Sequence, residues 1–446
     1  MERTRPSGPR KNLLLGSATD LIASPLEFLK DTASYGDVAS FRLGPFRAYL
    51  VRAAEDVNEV LVKQGDVFTR DPIMRYASGK FLGNGIINSE GNFHRDQRRM
   101  MQPAFHHKRL EGYVELMVNQ TDRMIKQWES LDDIPVNSEI AALTLKIVCE
   151  ALFKSDITDD VANVIEAVHY FEEVLAVELR HPVPIPDWLP IPRKQRLRKG
   201  VALLHEVISE MIGDRRASAV DKGDVLSTLL LATSEDGSPM PEEQMIDEMT
   251  TMVIAGHETS ATVITWILYL MGLYPEINTR VVNELDSVLA GRAPQMSDLP
   301  QLKYLDCVIK ETLRLFPPGW LIGRTPKEDL TIGGYTIKKG QLIYMSPYIT
   351  QRDSRYFEEP DAFKPDRWLD GFESTLPKGA YFPFSNGFHV CIGQQFALME
   401  IKLIVARLLQ HFQFERTQSE PIEPVALVTL CPDKTLHVRA MERVFA

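Results

Sequence analysis

The stretch between Pro241 and Pro275 constrains the fold more than any other part of the sequence. It opens on Pro241, Glu242 and Glu243, a helix-start pattern, and stops at Pro275. It is the most apolar segment of the chain, and residues 252–274 alone approach the length of a membrane span. Yet His257 and Glu258 sit inside it among several hydroxyls. Charge at the centre of a span is costly, so the segment reads as a long helix buried inside a soluble protein.

The remaining pattern is also mostly helical. Residues 114–128 and 139–153 repeat apolar side chains at three- and four-residue intervals. The proline-dense segment 181–193 (HPVPIPDWLPIPR) must break one helix from the next. A helix is expected to follow through Met211, then a turn at Gly223 and Asp224, and a further helix over 303–316 ended by Pro317 and Pro318. Extended segments are fewer. Residues 37–53 alternate around Gly44 and Pro45, a hairpin signal, and the rest of the first hundred residues mixes short extended runs with turns. Residues 330–335 and 342–346 read as strands, 347–384 as turns, 394–413 as a helix, and the C-terminal end as a hairpin around Pro432 and Asp433. The fold class is mainly α with small antiparallel β-sheets. Length alone suggests about three domains, but no break in composition divides residues 1–446, so a single domain is expected.

Composition excludes several functions. Asp and Glu number 61 against 50 Lys and Arg, a net charge of −11, which disfavours a nucleic-acid coat. Cys149, Cys307, Cys391 and Cys431 show no C-x-x-C spacing, so neither a zinc ribbon nor a disulfide framework is supported, and a reducing, cytoplasmic setting is expected. The basic N-terminus has only Leu13 to Leu15 as an apolar run, too short for a signal-peptide core. No membrane span is expected.

The most informative stretch is FSNGFHVCIG, residues 384–393, placed between a loop and a helix. Gly387 and Gly393 let the chain turn closely around the sulfur of Cys391, N–H groups at a helix start can point at it, and Phe384 offers a flat apolar wall. A metal-binding thiolate pressed against a planar cofactor has these needs. A buried cysteine at a helix start would show the same residues.

This loop resembles the haem-binding loop of the cytochrome P-450 family, F-x-x-G-x-[RH]-x-C-x-G. The resemblance implies Cys391 as the thiolate ligand of haem iron, with His389 where the family often has arginine. Two further motifs agree with it, in the family's order. Ala255-Gly256-His257-Glu258-Thr259 resembles the oxygen-activation sequence A-G-x-[DE]-T. It implies Thr259 as the hydrogen-bond partner of dioxygen and Glu258 as a proton relay, with His257 a packing residue. By itself Gly256 beside a Thr hydroxyl suggests a helix ladder opened for a water or ligand. In ETLRLFPP, Glu311 and Arg314 share a helix face and could be a surface ion pair. The resemblance instead makes them a buried E-x-x-R pair, joined by Arg367 of FKPDRW, that holds the cysteine loop in register.

The resemblance covers nearly the whole chain and implies the family fold, with haem between the long central helix and the cysteine loop. It implies His94, Arg98, Arg324 and His389 as propionate contacts, with Phe384 and Gly393 against the cofactor. It makes Met74, Phe81, Leu82, Ile254, Ala255, Trp320, Leu321 and Val428 candidate substrate-pocket residues, with 169–190 as a lid. The implied activity is that of a monooxygenase holding haem b (iron protoporphyrin IX), with O2 as co-substrate. Electrons would come from NAD(P)H through a separate ferredoxin- or flavodoxin-type donor with its reductase. Arg95, Arg99, Lys108 and Arg109 form a basic cluster suited to an acidic donor. A monomer acting on a lipophilic small molecule is expected. A peroxide-dependent hydroxylase and a haem-based sensor are the alternatives.

Overall fold

The computed structural model describes residues 5–9, 15–155, 160–178, 191–218, 220–233 and 237–443. Its axis is the central helix Glu242–Leu273, 32 residues long, or about 48 Å at 1.5 Å per residue. Most of its residues are buried. Neighbouring helices cover it: Val136–Phe153, Pro192–Ser218, Lys303–Leu315 and Gln394–His411. Among the described residues no single helix is long and apolar enough to cross a membrane; the central helix passes such a test only jointly with Pro275–Leu289, which bends away by 112°.

Gly256 explains how closely two of these helices approach. A Cβ there would stand 2.8 Å from Val148 Cγ2, nearer than packed carbon atoms tolerate. The central helix is unbroken α-helix across this point. The glycine serves helix–helix contact.

A five-stranded sheet flanks the helical body, in the order Val38–Leu43, Phe46–Val51, Leu342–Met345, Ile322–Pro326 and Phe68–Arg70. Its pairings are antiparallel except that of Phe46–Val51 with Leu342–Met345. Parallel neighbours need a crossover connection, and here most of the helical body forms it. The register sets Arg70 opposite Arg324.

Some elements differ from the sequence reading. Residues 330–335 are not one strand: Leu330–Ile332 turns through Gly333 and Gly334, both at positive φ, and pairs with Tyr335–Ile337. The C-terminal hairpin turns between Ala426 and Leu430, before Pro432, which pairs with Pro424. Trp266 of the central helix holds that hairpin, donating from Nε1 to Leu430 O at 3.1 Å while stacking on Phe316 at 4.1 Å. The helices Pro72–Leu82 and Gly91–Met101 lie in the first hundred residues, where short extended runs and turns are expected from the sequence. Asp71 starts the first by accepting Ile73 N–H at 2.8 Å. Of the proline-dense segment and the proposed lid, residues 179–190 lie outside the described residues.

Glu400, on Gln394–His411, is fully buried and faces the central helix. Ser260 is near enough to oppose the shift of its carboxyl, but neither group makes a well-aligned hydrogen bond. Burial pushes the carboxyl up from 4.5 to about 8. The folded chain thus keeps a proton that the unfolded chain sheds above 4.5. This contribution to stability declines as pH rises from 4.5 to about 8, then levels off. Urea midpoints measured across that window should fall with pH, and Glu400→Gln should flatten part of the fall.

Candidate active site

Backbone contacts fold the Cys391 loop. Cys391 N–H donates to Phe384 O at 3.0 Å, Ser385 N–H to Phe382 O at 3.0 Å and Val390 N–H to Gly387 O at 3.1 Å. Gly387 lies at φ +71°, and a Cβ there would stand 1.9 Å from Leu61 O. The loop tip is therefore pressed on the short helix Glu59–Lys63. Gly393 differs, with φ −89°. A Cβ on it would meet only the Phe105 ring, at 3.8 Å, beside a cavity that both residues line. The backbone does not demand glycine at 393.

The Cys391 side chain lies deep in the protein yet is open, because it faces that cavity of about 420 Å³. One wall is the central helix, with Thr251, Ala255, Gly256 and Thr259. The other is the cysteine loop, with Phe384, His389, Cys391 and Gly393. Burial pushes the Cys391 thiol above its usual value, opposed by Gly393 N–H and the Arg98 guanidinium. A cation on the sulfur would favour the thiolate.

Positive charge gathers at one end of the cavity. Arg98 donates to Val390 O at 2.7 Å, and His94 Nε2 lies 3.3 Å from His389 Nδ1. Arg70 Nη2 is 2.8 Å from the same His389 nitrogen. Arg70 escaped the sequence reading, because only its pairing with the Arg324 strand reveals its place. Glu90 supplies the carboxylate, 4.0 Å from Arg70 Nε and 3.8 Å from His389 Nε2. Burial, with Arg324 and Arg98 nearby, brings Arg70 down to about 9 and Arg324 to about 10 by burial. His94 falls to about 4 and His389 to about 2, through burial and then the neighbouring guanidiniums. Both imidazoles are neutral at pH 7. Three guanidiniums against one carboxylate leave an unbalanced positive charge. His94 Nδ1 and Arg70 Nε are buried without hydrogen-bond partners.

A second network anchors the loop from behind. Arg314 Nε and Nη2 donate to the two oxygens of Glu311 at 2.8 and 2.9 Å. Its remaining N–H groups reach Gln351 O, Pro360 O and Ala362 O. Glu311 also accepts from Arg367 Nε at 3.0 Å, Lys364 N–H at 2.8 Å and Trp368 Nε1 at 2.8 Å. Glu311 and Arg314 are both 0% exposed, which removes the surface-pair alternative. Gln351 completes the link: its amide donates to Leu313 O and Arg314 O at 3.1 Å and accepts Phe382 N–H at 2.9 Å. No motif marks Gln351, and FKPDRW, which ends on Trp368, points to Arg367 alone.

On the central helix, Thr259 Oγ1 donates to Ala255 O at 2.8 Å. Glu258 Oε1 accepts from Thr429 Oγ1 at 2.7 Å, which ties it to the C-terminal hairpin. His257 Nδ1 is 2.7 Å from Val253 O and the side chain is buried, a packing residue.

Comparison with known proteins is decisive. The Cytochrome P450 family profile matches residues 6–438. The chain belongs to the cytochrome P450 family. Among its relatives are cyclooctat-9-en-7-ol 5-monooxygenase of Streptomyces melanosporofaciens, 36% identical over 92% of this chain and 89% of that protein. Pentalenene oxygenase of Streptomyces avermitilis is 31% identical over 96% of both chains. Human cytochrome P450 4V2 is 31% identical over 93% of this chain and 85% of its own. The chain is a P450 monooxygenase, of a family that holds haem iron and uses O2.

The residues present fit that group. Among the described residues no three His, Cys, Asp or Glu side chains converge to share a metal ion, so Cys391 suits iron whose other ligands come from a macrocycle. The unbalanced guanidiniums and the unpartnered His94 Nδ1 suit the two carboxylates of haem b. Gly393 leaves room for a flat ring beside the sulfur. Of the candidate pocket residues, Ala255 lies on the cavity wall. The others lie off it: Met74 is 42% exposed, Phe81 packs on Phe171, and Leu82 and Ile254 are core. Trp320 Nε1 donates to Leu427 O at 3.0 Å, Leu321 packs with the sheet-side core, and Val428 against the main core. Ile86, Ile87, Val148, Met252 and Ile322 supply apolar wall instead.

Gln351→Ala should leave Phe382 N–H and two helix-end carbonyls unpaired, a loss of about 1–3 kcal/mol. Denaturation of the holoprotein should register that loss, together with faster haem transfer to a scavenging apoprotein. Arg314→Lys, which cannot reproduce the fork, should cost more, roughly 3–5 kcal/mol.

Proposed function

We propose that this P450 inserts one oxygen atom from O2 into a hydrocarbon-rich small molecule, with Cys391 as the iron ligand. The observation that carries this reading is a lone cysteine side chain facing a cavity opposite Thr259, with a cluster of guanidiniums at one end. Bound haem would supply O2 activation, with two electrons and two protons yielding hydroxylated product and water. Arg70, Arg98 and Arg324 would bind its carboxylates, with His94 and His389 as neutral hydrogen-bond donors. Thr259 lines the cavity, and its hydroxyl proton is held by Ala255 O. Glu258, bound to Thr429, fits the supply side of a proton relay, and Thr259 the cavity side. The Glu311–Arg314–Arg367 network would hold the ligand loop without touching the reacting atoms.

The apolar walls, and relatives named for cyclooctat-9-en-7-ol and pentalenene, favour an unsaturated hydrocarbon skeleton as substrate. Electrons would arrive from NAD(P)H through a separate ferredoxin- or flavodoxin-type donor. Arg95, Arg99, Lys108 and Arg109 are exposed, and Arg95 lies over the Phe388 ring of the cysteine loop at 5.6 Å, which favours this face for docking an acidic partner.

Reduced holoprotein treated with carbon monoxide should show the red-shifted Soret band of thiolate ligation, and Cys391→Ser should lose it. Absence of the band in intact wild-type protein would overturn the reading. Reductant with O2 should support turnover, and peroxide alone should support far less.

A further inference from the structure

We propose that Asp247 and Glu248, neighbouring carboxyl groups on the central helix, are positioning residues that clamp residues 83–89 over the cavity, setting how firmly a ligand is retained. This rests on the function proposed above for the cavity. Residues 83–89 (GNGIINS) join the helices Pro72–Leu82 and Gly91–Met101. Ile86 and Ile87 form cavity wall across from Thr251 and Met252. The segment therefore needs a fixed position for the cavity to have a fixed shape.

Its main attachments to the central helix run through backbone groups. Asn84 N–H donates to Asp247 Oδ2 at 2.7 Å, and Ile86 N–H to Glu248 Oε2 at 2.9 Å. Gln244 Nε2 bridges Asn84 O at 3.3 Å and Glu248 Oε1 at 2.8 Å, and Gln97 Nε2 reaches Asn84 O at 3.4 Å. Two glycines permit the close approach. A Cβ at Gly83 would stand 2.0 Å from Asp247 Oδ1, and one at Gly85 would stand 2.2 Å from Thr251 Oγ1 and 2.7 Å from Asp247 O. The clamp therefore has two halves: carboxyl acceptors on the helix, and a loop backbone without side chains where it touches them.

The protonation of Glu248 suits this role. Glu248 is 0% exposed, and burial pushes its carboxyl up from 4.5 to about 8. Asp247, the like charge facing it, adds to the shift, while Ile86 N–H and Gln244 oppose it. Asp247 is itself raised by burial and by Glu243, and lowered by Asn84 N–H and by His205 of the Pro192–Ser218 helix. Near pH 7 Glu248 therefore holds a proton: one oxygen accepts Ile86 N–H as the carbonyl, and the other, beside Gln244 Nε2, carries the hydroxyl. Ionising it buries a second negative charge beside Asp247, and lifting the loop is the way to hydrate that charge. Closure should weaken as pH rises toward about 8.

The test is amide hydrogen exchange at residues 84 and 86 in the holoprotein, with dissociation of 4-phenylimidazole as the ligand readout. Glu248→Ala should speed exchange at Ile86 on the order of tenfold and release the azole faster. Gly85→Ala should do the same from the loop side, so the result does not depend on Glu248→Ala folding. Glu248→Gln keeps the carbonyl acceptor for Ile86 N–H but sets its amide against Gln244 Nε2, so it should keep Ile86 protection at pH 7, weaken the Gln244 bridge to Asn84, and lose the excess pH dependence seen in wild type beyond intrinsic exchange. Unchanged protection in both Glu248→Ala and Gly85→Ala would overturn the clamp. Equal loss in Glu248→Gln and Glu248→Ala would overturn the neutral-acceptor role. A missing carbon monoxide band in the same wild-type preparation would sink the haem-thiolate reading while leaving the exchange result to stand.

Discussion

The buried contact between Arg314 and Glu311 is the joint on which the site depends. A guanidinium has five N–H donors, and here each finds an oxygen: two on Glu311 and three on the backbone around residues 351–362. The carboxylate is equally engaged, accepting from Arg367, Trp368 and Lys364 as well. Such a pair is worth its desolvation only when every donor and lone pair is used. What it achieves is positional. It fixes the chain after the sheet to the end of the Lys303–Leu315 helix, and Gln351 passes that constraint to Phe382, two residues before the cysteine loop.

The cavity between this anchor and the central helix is electrically lopsided. At one end guanidiniums crowd together and depress one another and the two histidines. At the sulfur, burial opposes ionisation. Each feature is costly for the protein alone. Both would be relieved by one ligand carrying a cation at its centre and carboxylates at its rim, so the chain's own charges are arranged as the complement of its cofactor.

The chemistry was more legible in the sequence than the shape of the cavity. Cys391, Glu311, Arg314 and Thr259 sit in short motifs whose spacing survives without knowledge of the fold. Arg70 does not: strand register sets it opposite Arg324, and the fold of the cysteine loop brings His389 to it, both far away in the chain. Gln351 acts mostly through backbone partners, which leave no residue-type signature. Seven of the eight proposed pocket residues lie off the wall, since a family resemblance aligns positions along the chain but does not show which of them border a void here. Gly256 shows a related ambiguity. A glycine in a helix signals a reason, yet the choice between an opened ladder and a close neighbour required Val148 in place.

The parallel pairing of Phe46–Val51 with Leu342–Met345 bears on biogenesis. Those strands are separated by roughly 300 residues, and two of the clustered arginines, Arg70 and Arg324, stand in the same sheet. During translation the early hairpin has no partner for one edge until residues 342–345 have been made. The cavity cannot be complete before both the distant strand and the sulfur that follows it have been synthesised.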